Sequence, residues 1–344
     1  MFHSRMILAA TATAWLVGSV VLCLAAAGRD VTLVVHPQKA TAEAGKLTLL
    51  PPEASLIEGD AVPLYEKAVG ALPDEAEDDQ IETWLKMPVD QLPFDQVEEM
   101  LSKHVECLKS VARAVKCRQC NWPESKPSAE VPNLQGYRRL ARVVRLWARM
   151  EIADEGYKGV IVALQTGFGM ARHLGQAPTT LQVLVGVAVG SVMCREVDEF
   201  VQREGAPNLH GALADMPRPF VDTEKMIENN RKAALAEWKD KLPIEQIESE
   251  LKKSHDQILL LVKSFDCDLA ALQCVEAIRS FAASHGGRLP GALTDITEGS
   301  VPQDPMSGEP FRYSRTGSTA VLESILPGGV DEKRRLHYEI SIKN

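Results

Sequence analysis

Apolar residues recur every three or four positions in the middle of the chain, which predicts two consecutive amphipathic helices. The first covers residues 134–155 and the second covers residues 157–174, with Gly156 between them. The first apolar stripe consists of Tyr137, Leu140, Ala141, Val144, Ala148 and Ile152, and the second consists of Tyr157, Ile161, Leu164, Phe168 and Ala171. This period places each set on one face of a helix. Two apolar faces joined by so short a turn predict an antiparallel helical hairpin.

Helical spacing continues on both sides of the hairpin and predicts a mainly α fold, an antiparallel array of about eight helices. The longest helix opens after Pro243 and ends at Gly286-Gly287. Three short β-prone segments follow it and predict a small C-terminal antiparallel sheet. The predicted divisions are a signal or anchor helix over 1–28, a linker over 29–58 that can contribute a short strand, a helical domain over 59–285, and a tail over 286–344.

The N-terminal segment carries the clearest indication of where the protein resides. Residues 6–27 contain no charged side chain, and a run of this length can span a bilayer as a helix. Ala25-Ala26-Ala27 also fits a signal-peptidase site, so secretion after cleavage near Ala27 is the alternative. The length favours an uncleaved single-pass anchor in the cytoplasmic membrane. The flanking charges favour an extracytoplasmic body.

A second apolar run, residues 181–193, is shorter and predicts a buried core helix instead of a membrane span. Gly186 and Gly190 lie four positions apart on it and would permit close contact with a neighbouring helix. We interpret that spacing as packing within a domain, in preference to a membrane dimer motif.

The charge of the 344-residue chain limits the classes of partner. Its formal net charge is −9, so most of the surface would repel a polyphosphate backbone, and nucleic-acid binding is not expected. No GxSxG, HExxH or Walker A motif occurs in the sequence. The sequence therefore leans against an enzyme without deciding the question.

The sharpest candidate for metal chemistry is formed by His104, Cys107, Cys117 and Cys120, which could in principle supply four zinc ligands. The residues between Cys107 and Cys117 have a helical pattern, which would separate the two thiols by about 15 Å at the helical rise. That distance is too great for one metal ion. We therefore expect buried thiols, or a local disulfide between Cys117 and Cys120 in an oxidising envelope, and no metal or other cofactor.

A basic stripe is the candidate binding surface. It follows the first helix of the hairpin and consists of Arg138, Arg142, Arg145 and Arg149. It could bind an anion, a lipid headgroup or an acidic protein partner. The alternative is that acidic neighbours such as Glu98, Glu99 and Glu151 pair with it.

Three resemblances add expectations. Residues 277–313, with His285-Gly286-Gly287-Arg288-Leu289-Pro290 and Pro302-Gln303-Asp304-Pro305, resemble the globular end of the type II secretion major pseudopilin. The loop that can hold calcium in pseudopilins corresponds to residues 328–332 here and retains few oxygen ligands. The hairpin is similar to a single tetratricopeptide-like unit. The whole arrangement resembles uncharacterised planctomycete-type membrane-anchored envelope proteins, a group that implies no particular activity.

These patterns together predict a membrane-anchored extracytoplasmic helical scaffold or protein-interaction module. Two alternatives remain open. One is an envelope enzyme whose site lies near Cys117 and Cys120. The other is an accessory component of a secretion or pilus-like assembly, which the tail alone suggests.

Overall fold

The computed structural model describes residues 28–73, 75–123 and 133–343. In those ranges the protein is 58% helical, with ten helices and a small mixed sheet of four strands. The predicted mainly α fold is confirmed. The helices are α1 (Ala61–Gly70), α2 (Asp78–Lys86), α3 (Phe94–Lys103), α4 (Val105–Ala114), α5 (Leu134–Ala153), α6 (Tyr157–Gly175), α7 (Thr180–Val201), α8 (His210–Ala214), α9 (Glu224–Trp238) and α10 (Ile244–Ser284). The predicted N-terminal anchor lies in residues 1–27, outside the ranges described.

The centre of the body is formed by α5, α6 and α7, which pack on one another. The side chain of Asn133 accepts a hydrogen bond from the Gly136 amide at 2.9 Å and so caps α5. The Thr179 hydroxyl caps α7 by accepting from the Gln182 amide at 3.3 Å. Every residue of the first apolar stripe is buried, as is every residue of the second except Tyr157. The predicted helical hairpin is therefore the core of the fold.

Helix α7 has the length and composition that would allow a helix to cross a membrane, but 67% of its most apolar window is buried inside the body. Its contacts explain the two glycines. A Cβ atom at Gly186 would lie 2.7 Å from the backbone nitrogen of Gly175, and one at Gly190 would lie 2.3 Å from the ring of Phe265. The glycines thus let α6 and α10 approach α7 closely, which matches the interpretation of their spacing as packing.

The segment from residue 94 to residue 114 forms two helices that meet at His104. Helix α3 contacts α5, whereas α4 lies along α1. Since the two halves bury their apolar residues against different neighbours, a straight helix would leave one half exposed. Cys117–Gln119 then forms β3, which pairs in parallel with β2 (Ile57–Asp60).

The small sheet has the order β1-β6-β5-β4. Its strands are β1 (Asp30–Val35), β4 (Arg312–Thr316), β5 (Thr319–Glu323) and β6 (His337–Ile342). The last three are antiparallel, as predicted. The predicted linker supplies β1, which pairs with β6 in parallel, so the sheet is mixed and not purely antiparallel.

Helix α10 changes character along its length. Its first two turns are largely exposed, whereas its second half is almost entirely buried. That half carries Arg279, which is 0% exposed and donates hydrogen bonds to Glu276 Oε2 at 2.8 Å, to the His36 carbonyl at 3.1 Å and to the Ala206 carbonyl at 3.1 Å. A buried ion pair therefore ties the N-terminal segment and the chain after α7 to the long helix.

Candidate functional site

The basic stripe of α5 is divided between two surroundings. Arg142 forms ion pairs with Asp78 and Glu82, each at 2.9 Å. Arg145 and Arg149 instead turn to Glu196 of α7, at 2.5 and 3.3 Å. Three of the four predicted binding residues are therefore held by acidic side chains, though not by those suggested from the sequence. Arg138, the fourth, is half-buried and forms no ion pair in the part of the chain described.

Arg145 and Arg149 lead to a concave feature of the surface, a cleft of about 580 Å³. One wall is the start of β1, the opposite wall is the C-terminal half of α7 together with α5, and residues 85–90 close a third side. This volume falls in the range of ligand sites, although the lining is unusually polar for one. The charged residues of the lining are Arg29, Lys86, Arg145, Arg149, Arg195 and Arg203, with Asp30, Asp90, Glu196, Asp198 and Glu199. We call this feature the arginine cleft.

Ion pairs hold most of the arginines in place. Glu196, 0% exposed, bridges Arg145 and Arg149 from below. Arg29, also buried, pairs with Asp198, whose other carboxylate oxygen accepts a hydrogen bond from the Tyr338 hydroxyl at 2.8 Å. A side chain fixed in this way loses little further freedom when a ligand binds, so the walls of the cleft are preorganised.

Arg195 is the exception among the cleft arginines. Its side chain is solvent-accessible, and it takes part in no hydrogen bond or ion pair with the described residues. Protein atoms partly surround it, so desolvation and then the nearby Arg145 lower its pKa. Lys86 is exposed on the residue 85–90 side and likewise has no ion pair there. The cleft therefore presents two cations to an incoming ligand.

The cleft also contains carboxyl groups that limit its positive charge. Desolvation, followed by the neighbouring Glu196, raises the pKa of Glu199. Asp30 is exposed at the start of β1. A ligand that binds between these groups would therefore carry one or two negative charges at the contact, and not a continuous run of them.

The predicted thiol site is not assembled. No group of three or more His, Cys, Asp or Glu residues in the described ranges is arranged to hold a metal ion. Cys107 donates to the carbonyl of His104, and Cys117 and Cys120 are free thiols, so the proposed disulfide is not formed. Burial raises the pKa of the Cys117 and Cys120 thiols. Protonated thiols are weak nucleophiles and poor metal ligands.

Beside Cys120 lies a cluster of aromatic rings, in which Tyr65 contacts Trp122, Tyr137 and the imidazole of His173. The Tyr65 hydroxyl lies 2.9 Å from His173 Nδ1, and Trp122 Nε1 donates to the His173 carbonyl at 2.7 Å. Tyr137 packs edge-on against Trp122. Desolvation, followed by the charge of Arg172, lowers the pKa of His173 to about 4. The cluster is apolar and closely packed, which indicates a structural role.

This histidine predicts a pH dependence of stability. Between about pH 6.5 and 4 the unfolded chain binds a proton at residue 173 that the folded protein does not, so the free energy of unfolding falls as the pH drops through that window. The expected loss is about 3 kcal/mol. His173→Gln keeps a hydrogen-bonding side chain beside Tyr65 and should flatten the dependence in urea unfolding at pH 7 and pH 4.5.

Comparison with the variant isolates this effect from the opposite contribution of Asp266. Burial raises the pKa of Asp266 to about 6, which favours the folded state as the pH falls, equally in both proteins. Equal pH slopes for the wild type and His173→Gln would contradict the assignment.

Several cleft residues were not singled out from the sequence, namely Arg29, Arg195, Glu196 and Asp198. The available signal was the presence of charged residues inside an apolar helix, since buried charges are costly unless paired.

Comparisons of the chain with family models, with curated proteins and with solved structures find no match.

Proposed function

We propose that this protein is a membrane-anchored extracytoplasmic interaction module that holds an anionic part of a protein partner in the arginine cleft. The observation that carries the proposal is Arg195, an accessible and unpartnered cation set between arginines that ion pairs keep in place. Fixed donors around a free charge suit recognition of a carboxylate or a similar anion.

The position of the cleft supports an anchored module. Gly28 lines the cleft and directly follows the apolar run of residues 6–27. If that run spans the membrane, the cleft lies next to the bilayer surface, where it would meet partners that are themselves held at the membrane. Confinement near a common surface raises the effective concentration of such a partner.

An envelope enzyme at Cys117 and Cys120 receives less support. Both thiols have raised pKa values, and His173 of the neighbouring aromatic cluster already shares its Nδ1 with Tyr65. A nucleophilic thiol requires an adjacent base or cation that stabilises its thiolate. Binding without chemistry is therefore the preferred function.

The test is photo-crosslinking of the full-length protein in its own membranes, with a photoreactive lysine analogue that keeps its ammonium group at position 86 inside the cleft. We expect a discrete crosslinked partner, and Arg195→Glu should lower its yield by about tenfold, because reversing a central charge costs on the order of 1.4 kcal/mol or more. Lys239→Glu, an equivalent reversal outside the cleft lining, is the matched control.

Three results would decide against the proposal. They are the absence of any crosslink at position 86, a yield that Arg195→Glu does not change, and an equal loss with Lys239→Glu. Thermal unfolding of each variant shows whether the fold survives the change. Arg195→Gln, which removes the charge without reversing it, should give an intermediate yield.

A further inference from the structure

Strand β1 lies at one edge of the sheet, with β6 as its neighbour on the other side. In a parallel pair, alternate residues direct their backbone N–H and C=O groups to the same side. The carbonyls of Arg29 and Val35 accept from β6 and the residue after it. The amide of Val34 donates the opposite way, to Gln202 Oε1 at 3.1 Å. Asp30, Thr32 and Val34 therefore direct their backbone groups away from the sheet.

This free edge forms part of the wall of the arginine cleft. Asp30, Val31 and Thr32 line it from the strand side, and Gln202 lines it from α7. Of the backbone groups on this edge, Gln202 provides a hydrogen-bond partner only for the Val34 amide. Asp30 and Thr32 are exposed, and no strand of the described ranges pairs with them on this side. Native proteins usually cover or block such an edge, because unpaired backbone groups invite another strand.

Helix α7 runs beside the edge in the same direction. Its Asp198 contacts Arg29, and Gln202, one turn later, contacts Val34. Arg195 is one turn before Asp198 and so lies toward the Gly28 end. The cleft thus provides a row of backbone donors and acceptors on one wall and an accessible arginine on the other. An extended peptide can use both at once.

We propose that the partner segment is an extended acidic peptide that adds to β1 as a fifth strand, with a carboxylate at Arg195 or Lys86. This inference rests on the proposed function and specifies how the partner is held. In strand addition, backbone hydrogen bonds supply affinity and the flanking side chains supply specificity. Asp30 and Glu199 repel additional carboxylates, so the segment carries one or two acidic residues at the contact, not a long acidic run.

The binding experiment uses the full-length protein in detergent and a fluorescent synthetic peptide of about ten residues in which valine alternates with threonine, except that one central threonine is replaced by glutamate. We expect the peptide to bind by fluorescence anisotropy. N-methylation of alternate backbone nitrogens, in the set that faces β1, should weaken binding by at least about tenfold, because each methyl group removes a donor. The set that faces away is the matched control. A peptide with lysine in place of glutamate should not bind.

A pair of variants tests the same edge from the protein side. Thr32→Pro removes an N–H group that takes no part in the pairing with β6, and proline is tolerated on such an edge. We expect it to weaken binding by about tenfold. Thr32→Val keeps the amide and a side chain of similar shape and should bind as the wild type does. Thermal unfolding of both variants confirms that the sheet remains folded.

The outcomes separate this inference from the proposed function. If Arg195→Glu abolishes peptide binding while the Thr32→Pro variant and both N-methylated peptides still support normal binding, strand addition is wrong and anion binding by the arginine cleft stands. If the wild type does not bind the peptide but binds anionic phosphatidylglycerol vesicles through Arg195, the occupant is a lipid headgroup and the inference is wrong. If neither probe binds, and the crosslinking at position 86 also fails, both proposals are overturned.

Discussion

Arg279→Met is expected to lower the free energy of unfolding by about 3–5 kcal/mol, the cost of leaving a buried charge without its partner. Glu276 is 0% exposed and would keep its carboxylate beside an apolar side chain. The carbonyls of His36 and Ala206 would also lose their donor. A loss of this size is a large part of the stability of an ordinary domain. Urea unfolding of the full-length protein measures it.

The control is Arg231→Met. Arg231 also forms an ion pair, with Glu248 at 2.8 Å, but its side chain is 57% exposed. Exposed pairs contribute about 0–1 kcal/mol, so little change is expected. The double variant Glu276→Leu with Arg279→Met removes both buried charges and should recover part of the loss. If Arg279→Met and Arg231→Met lower the free energy of unfolding equally, burial of the Glu276–Arg279 pair does not make it more costly to break than an exposed pair.

Glu196→Ala is the second substitution for which we expect a large effect, again about 3–5 kcal/mol. It leaves Arg145 and Arg149 facing each other without the carboxylate that bridges them, and Arg149 is only 3% exposed. The repulsion should also loosen the wall of the arginine cleft. Chemical unfolding reports the loss in stability, and peptide anisotropy reports the effect on the cleft.

Glu82→Ala is the matched comparison, because Glu82 pairs with Arg142 of the same helix at 2.9 Å but is 39% exposed. It should cost no more than about 1 kcal/mol. Glu196→Gln retains the shape and hydrogen-bonding capacity of the side chain and should fall between the two. If Glu196→Ala and Glu82→Ala lower the free energy of unfolding equally, burial does not strengthen the bridge that Glu196 forms with Arg145 and Arg149.

The helical core was predictable because its signal is local. The stripes of α5 and α6 repeat at helical spacing, and Thr179 precedes an apolar run. The break at His104 was not predictable, since no proline or glycine marks it and the cause is packing of the two halves against different helices. The pairing of β1 with β6 leaves no local signal either, because its partners lie at opposite ends of the chain.

The candidate site was predictable only in part. Arg145 and Arg149 lie four positions apart, so their shared face follows from the sequence. The sequence did not predict which carboxylate pairs with them, because Glu196 reaches them from another helix. Arg195, which forms no ion pair with a described residue, belongs to that second helix, and its place in the cleft is recognised only when α5, α7 and β1 are seen together. Segments that are distant in the sequence form the site by packing together, and the same is true of the sheet.

The parallel pairing of β1 with β6 has a consequence for synthesis of the protein. A ribosome makes Asp30–Val35 about 300 residues before it makes His337–Ile342. The strand that buries Leu33 and Val35 therefore waits for that length of chain before its neighbour exists. Contacts between such remote segments slow folding. A product cut short before His337 would thus keep its first strand unpaired and exposed to proteases and chaperones.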